Sequence, residues 1–121
     1  MLANQHTTHE RVGRAEALLR SGRSFLYETV REVSSRSEWS QVISDDLSAS
    51  VRLASAHAAQ TAAEAVDLLF SAAGTSSIYD GSRLERCFRD IHTLTQHTGV
   101  SPSNIEMVGQ YLLGLGLQDR R

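Results

Sequence analysis

The chain has 121 residues, 40% of them hydrophobic and 21% charged, the make-up of one domain that buries roughly two-thirds of its unfolded-chain surface. A formal net charge of −2 excludes the basic footprint of a general nucleic-acid binder, and no apolar run approaches the ~20 residues of a membrane span. The single cysteine, Cys87, excludes an internal disulfide and a thiolate-rich metal site.

Residues 1–6 are polar and aperiodic, which predicts a disordered lead-in to a domain over 7–117. Thr7 and Glu10 have capping-box spacing. Val12, Ala15, Leu19, Gly22, Leu26, Val30 and Val33 then recur at steps of three and four, predicting a first helix over about 8–35. Ser44 is placed to cap a second helix over about 45–73, with Asp45 and Asp46 favoured at the positive end of its dipole. Nine alanines lie between Leu53 and Gly74. Alanine is the best helix former and lets a neighbouring backbone come close, so this helix is expected to be buried on more than one side. Gly74 is positioned to end it.

After a polar loop, Ser82 and Glu85 repeat the capping-box spacing. Leu84, Cys87, Phe88, Ile91 and Leu94 give a third apolar stripe, predicting a helix over about 83–98. Cys87 on that stripe reads as a buried, inert thiol. A fourth helix over about 102–115 is capped by Ser101 with Pro102 at its first position, or by Ser103 with Glu106. Its stripe is Ile105, Val108, Leu112 and Leu115, and Gly116 stops it. No segment alternates with period two. The expected fold is an all-α, up-down four-helix bundle.

Bundles often carry a carboxylate-bridged metal pair, which needs Glu-x-x-His on facing helices. None of the eight glutamates has a histidine three residues later, and His92 and His97 are five apart, so no metal site is expected. There is also no phosphate-binding or nucleophile-elbow motif. The densest polar stretch runs from Gly74 to His97. Glu85–Arg89 and Arg86–Asp90 are i,i+4 pairs, each worth about 0.3–0.5 kcal/mol on an exposed face. A hydroxyl- and glycine-rich loop leading into a helix N-terminus with arginines nearby also suits a phosphate. Spacing alone leaves both readings open.

Leu84-Glu-Arg-Cys-Phe-Arg-Asp-Ile91 resembles the Glu-Arg-x-x-Arg-Asp signature in the C-terminal helical domain of acyl-CoA dehydrogenases. The wider run from Arg52 to Leu115 resembles the flavin-dependent monooxygenase branch of that superfamily. It includes Ala65-Val-Asp-Leu-Leu-Phe, Ala73-Gly-Thr-Ser-Ser, Arg89-Asp-Ile-His-Thr-Leu-Thr-Gln-His97 and Gly109-Gln-Tyr-Leu-Leu-Gly-Leu115. Gly13-Arg-Ala-Glu-Ala-Leu-Leu-Arg-Ser21 is similar to the first long helix of the same domain.

The resemblance implies a domain of an oxidoreductase that oxygenates an aromatic or heteroaromatic substrate with reduced flavin, FMN or FAD, supplied by a separate flavin reductase. Members also have an N-terminal helical domain and a middle β-domain, both missing here. The chain is therefore expected to be a C-terminal fragment or a shortened gene product, inactive and without tight flavin binding by itself. Gly74, Thr75, Ser76 and Ser77 then approach the flavin. Arg86 and Arg89 brace that loop or meet a phosphate, and Asp90 orients an arginine. His97 matches the family histidine that faces the flavin ring and is the catalytic candidate, acting as a base on the substrate or helping protonation at the flavin hydroperoxide stage. A related acyl-CoA dehydrogenase needs a glutamate base, and neither Glu85 nor Glu106 is placed persuasively. The expected assembly is a homodimer or tetramer, with a cytoplasmic location. The alternative is a helical oligomerisation module without cofactor.

Overall fold

The structure, a computed structural model, describes residues 2–37, 44–73, 83–97 and 99–117. Among the described residues the regular elements are four helices: α1 (Leu2–Ser37), α2 (Asp45–Ala73), α3 (Arg83–Leu94) and α4 (Ser103–Leu112). The described residues contain no strand.

α1 begins at Leu2, ahead of the Thr7–Glu10 cap spacing. Residues 2–6 include good helix formers and neither glycine nor proline, so nothing stops the helix earlier. Ala15, Gly22 and Thr29, spaced seven apart, are buried on α1. Val12 and Val30, counted on its apolar stripe, are exposed. Thr29 takes the inner place because its hydroxyl donates to the Phe25 carbonyl at 2.9 Å, which satisfies the polar atom inside the helix.

α2 starts as its sequence dictates. Ser44 Oγ accepts the Leu47 N–H at 3.2 Å, and Asp45 and Asp46 occupy the first turn. Ala54, Ala56, Ala59, Ala63 and Ala65 are buried around much of its circumference. Among the described residues, α1, α3 and α4 each pack against α2, and their backbones do not approach one another closely. Gly22 lies where a Cβ would come within 2.3 Å of Thr61 Oγ1 and 3.3 Å of the Ala58 Cα, so only glycine permits this approach of α1 to α2.

The residue pairs fix the directions. Gly22 meets Thr61 and Phe25 meets His57, so α1 and α2 are antiparallel. Phe70 meets Phe88 and Asp67 meets His92, so α3 also runs against α2. Arg52 Nη1 donates to Asn104 Oδ1 at 3.4 Å and Tyr111 bonds Asp46, so α4 keeps the direction of α3 and follows it along α2.

α3 stops at Leu94 rather than near residue 98, and none of its residues is buried. Packed on α2 alone, it covers one narrow side, and Cys87 is exposed rather than buried. α4 starts on i→i+3 bonds, Asn104 N–H to the Ser101 carbonyl and Ile105 N–H to the Pro102 carbonyl, with no side-chain cap. The Ser101 hydroxyl bonds the Ser103 hydroxyl at 2.7 Å instead. The helix ends early, at Leu112. Leu115 N–H reaches the Gln110 carbonyl and Gly114 N–H the Tyr111 carbonyl, with Gly114 at φ 85°. That is a Schellman stop on Gly114, two residues before the expected Gly116. Leu112 and Leu115, expected on the inner stripe, are therefore exposed, while Asn104, Met107 and Val108 face inward.

Candidate functional site

Of the residues assigned to the cofactor, Gly74, Thr75, Ser76 and Ser77 lie outside the described residues. Arg86, Arg89 and Asp90 are exposed on α3. Glu85 accepts from Arg89 Nη2 at 2.7 Å, as its spacing requires, with the arginine side chain 75% exposed. Arg86 and Asp90 make no ion pair with each other among the described residues, so both remain directed to the surface as single charges.

His97 sits in the turn after α3, exposed. Its Nδ1 accepts the Gly99 N–H at 3.2 Å, and its carbonyl accepts the Val100 N–H at 3.0 Å. The turn itself thus orients the ring and occupies one of its nitrogens.

Register along α2 measures the spread of these groups. Ala62 lines one cavity with Ile91, Leu94 and Val100, at the level of the His97 turn. Ala73, the last described residue before position 74, lies eleven residues further along α2. At ~1.5 Å rise per residue the two levels are about 16 Å apart. The described candidates, Arg86, Arg89, Asp90 and His97, are spread along α3 and the turn that follows it.

That cavity, about 310 Å³, is floored by Ser55, Ala58 and Ala62 and walled by Leu26, Ile91 and Leu94. A neighbouring one of about 220 Å³ shares Leu26 and Ser55 and continues between α1 and α2 past Val30 and Val51. Together they form an apolar trough lined by none of the charged candidates.

One pair was not legible in the sequence. His92 Nε2 and Asp67 Oδ1 are 2.6 Å apart across the α2–α3 contact. Phe88, one turn before His92, stacks on the imidazole with centroids 4.6 Å apart, and Phe70 stacks on Phe88 at 4.6 Å. Twenty-five residues separate the partners, and only the helix register joins them. Elsewhere, His57 packs beside Phe25 at 6.0 Å and is half-buried.

Tyr111 has its hydroxyl group held above the ordinary value of 10.0. The Asp46 carboxylate accepts its hydrogen bond, local desolvation adds to this, and the charges of Asp46 and Asp45 oppose ionisation. Among the described residues no three histidine, cysteine or acidic side chains gather as metal ligands, and no helix is long and apolar enough to cross a membrane.

Residues 1–102 match the family described as acyl-CoA dehydrogenase, C-terminal domain. The chain is 32% identical over 118 residues to indole-3-acetate monooxygenase of Pseudomonas putida, covering 93% of this chain and 29% of that protein. It is 25% identical over 119 residues to indole-3-acetate monooxygenase of Acinetobacter baumannii, covering 94% of this chain and 29% of that protein. The chain thus spans about 29% of the length of the curated relatives it matches.

Proposed function

The chain belongs to the acyl-CoA dehydrogenase C-terminal domain family, and from that premise we propose that it works as the C-terminal helical part of a longer flavin-dependent monooxygenase acting on an aromatic or heteroaromatic substrate. The observation that carries this reading is the 32% identity, over 93% of the chain, to a monooxygenase named for an indole substrate. The donor set is compatible with the cofactor. Exposed Arg86 and Arg89 offer guanidinium groups on α3, and guanidinium groups pair well with phosphate. Hydroxyl groups at Thr75, Ser76 and Ser77 follow the end of α2. A separation of about 16 Å between that end and the His97 turn calls for an extended ligand, and a flavin nucleotide carries its phosphate and its ring at opposite ends.

In this reading Gly74–Ser77, Arg86 and Arg89 hold FMN or FAD, and Asp90 orients an arginine. Held by these residues, a reduced flavin from a separate reductase would supply the activation of dioxygen. His97 has its Nδ1 engaged by the Gly99 N–H, so the neutral ring carries its proton on Nε2 and presents that N–H as a proton donor; it acts as a base once the turn bond opens. Acyl-CoA dehydrogenation fits less well. Glu85 is engaged by Arg89, and Glu106 is exposed on α4, away from the α3 candidates.

The longer protein acts in the cytoplasm as a homodimer or tetramer. The apolar trough and the exposed Leu112, Leu113 and Leu115 (74, 80 and 63%) give association a surface. The test is turnover by the full-length protein with a flavin reductase. We expect His97→Ala to lower kcat at least about tenfold, and the isolated chain to show no tight binding in a flavin titration. Unchanged turnover removes His97 from the chemistry. A full-length protein that neither binds flavin nor hydroxylates an aromatic ring overturns the whole reading.

A further inference from the structure

His92 is the histidine with a carboxylate behind it. With Asp67 ionised and 2.6 Å from Nε2, the proton of the neutral imidazole resides on Nε2 and points at the carboxylate. Nδ1 is then left as an acceptor, and among the described residues no hydrogen bond engages it. Phe88, backed by Phe70, packs on the ring at a fixed tilt of 52°, so the imidazole is held at two points. The His92 and Asp67 side chains are 42% and 49% exposed, open to a ligand. His97 differs in its partners: its Nδ1 takes the Gly99 N–H, and no acidic side chain bonds its ring among the described residues.

We propose that His92, positioned by Asp67, is a proton acceptor for the reaction inferred above, serving an aromatic ligand that carries an acidic O–H or N–H. The inference rests on that reading for its setting and on the Asp67–His92–Phe88 geometry for its chemistry. The ligand's X–H bond breaks, its electron pair stays on X, and the proton passes to Nδ1. The imidazolium keeps its Nε2–H on Asp67, which stays ionised throughout. When the ligand leaves, Nδ1 returns the proton to solvent. The aromatic preference follows from the Phe70–Phe88–His92 stack, a half-buried ring surface beside the acceptor.

Two measurements on the 121-residue chain need no flavin. Long-range ¹⁵N–¹H spectra should show His92 chiefly as the Nε2–H tautomer, and Asp67→Asn should lower the ratio of the two tautomers at least about threefold. Diethyl pyrocarbonate should acylate His92 several times faster than His97, and Asp67→Asn should abolish the difference. An unchanged tautomer ratio, or equal acylation rates in the parent chain, overturns the dyad even if the full-length protein is a working monooxygenase. In that full-length protein, His92→Gln and Asp67→Asn should each lower kcat at least about tenfold with KM within about twofold. A lowered Tm with kcat unchanged makes the pair a helix clamp and overturns the proton-acceptor role. If the full-length protein has no oxygenase activity but both flavin-free measurements come out as expected, the flavin reading fails and the dyad stands.

Discussion

The contact between α1 and α2 and the flank formed by α3 and α4 both use α2, and they use it in opposite ways. Along the α1–α2 contact the buried residues are small. Ala15, Gly22 and Thr29 face a helix whose inward residues include Ala54, Thr61 and Ala65. The backbones come so close that Gly22 has no room for a methyl group. α3, by contrast, has no buried residue, and α4 leaves Leu112 exposed beside its buried Met107 and Val108. Close packing of small groups makes a rigid spine, because contacts are many and no side chain has alternative rotamers to explore. The looser flank keeps charged and ring-bearing side chains at the surface, and the candidate chemistry of Arg86, Arg89, His92 and His97 lies there.

The contrast can be broken most strongly at Gly22. Gly22→Leu should destabilise the chain by about 3 kcal/mol, read as a lowered urea midpoint, because overpacking forces the two helices apart. Gly22→Ala should also destabilise, though alanine gains about 1 kcal/mol in helix propensity. A neutral Gly22→Leu would show that the contact is not close-packed. Ser44→Ala, at the start of the shared helix, should cost about 1 kcal/mol by the same measurement, the loss of one N-cap bond.

The smallest expected effect sharpens the picture of the flank. The folded state holds the Tyr111 proton more tightly than the unfolded chain does. Its contribution to stability is therefore fully present below pH 10.0 and is lost as pH rises past that value towards the folded-state value. Urea melts between pH 9 and 11 should show a shallower alkaline decline in Tyr111→Phe and in Asp46→Asn than in the parent chain. Equal slopes in all three would mean that the bond to Asp46 does not tie α4 to α2 in solution.

Much of this was readable from local chemistry. The Ser44 cap, the Asp45–Asp46 start, the Glu85–Arg89 pair and the many-sided burial of the alanine-rich helix all follow from spacing within one helix. The failures have a common origin. Val30 was favoured over Thr29, and Leu112 over Met107, because periodicity ranks residues by hydrophobicity. Burial instead depends on which neighbour is present. Thr29 satisfies its hydroxyl on its own helix and can go inside, whereas Leu112 comes two residues before a glycine stop and stays exposed at the mouth of a cavity against α2. Cys87 is exposed for the same reason, since a stripe is buried only as far as a partner covers it.

By itself, then, the sequence determined that the chain is all-helical, where α2 begins, that its alanines admit close neighbours, and which family its motifs resemble, because these depend on residues a few positions apart. Tertiary structure alone decided the directions of α3 and α4 along α2, the sides of the helices left open, and the meeting of Asp67 with His92. Those depend on the register between helices. A shift of one residue turns a helix face by about 100°, so contacts between distant positions are set by packing and not by any local pattern.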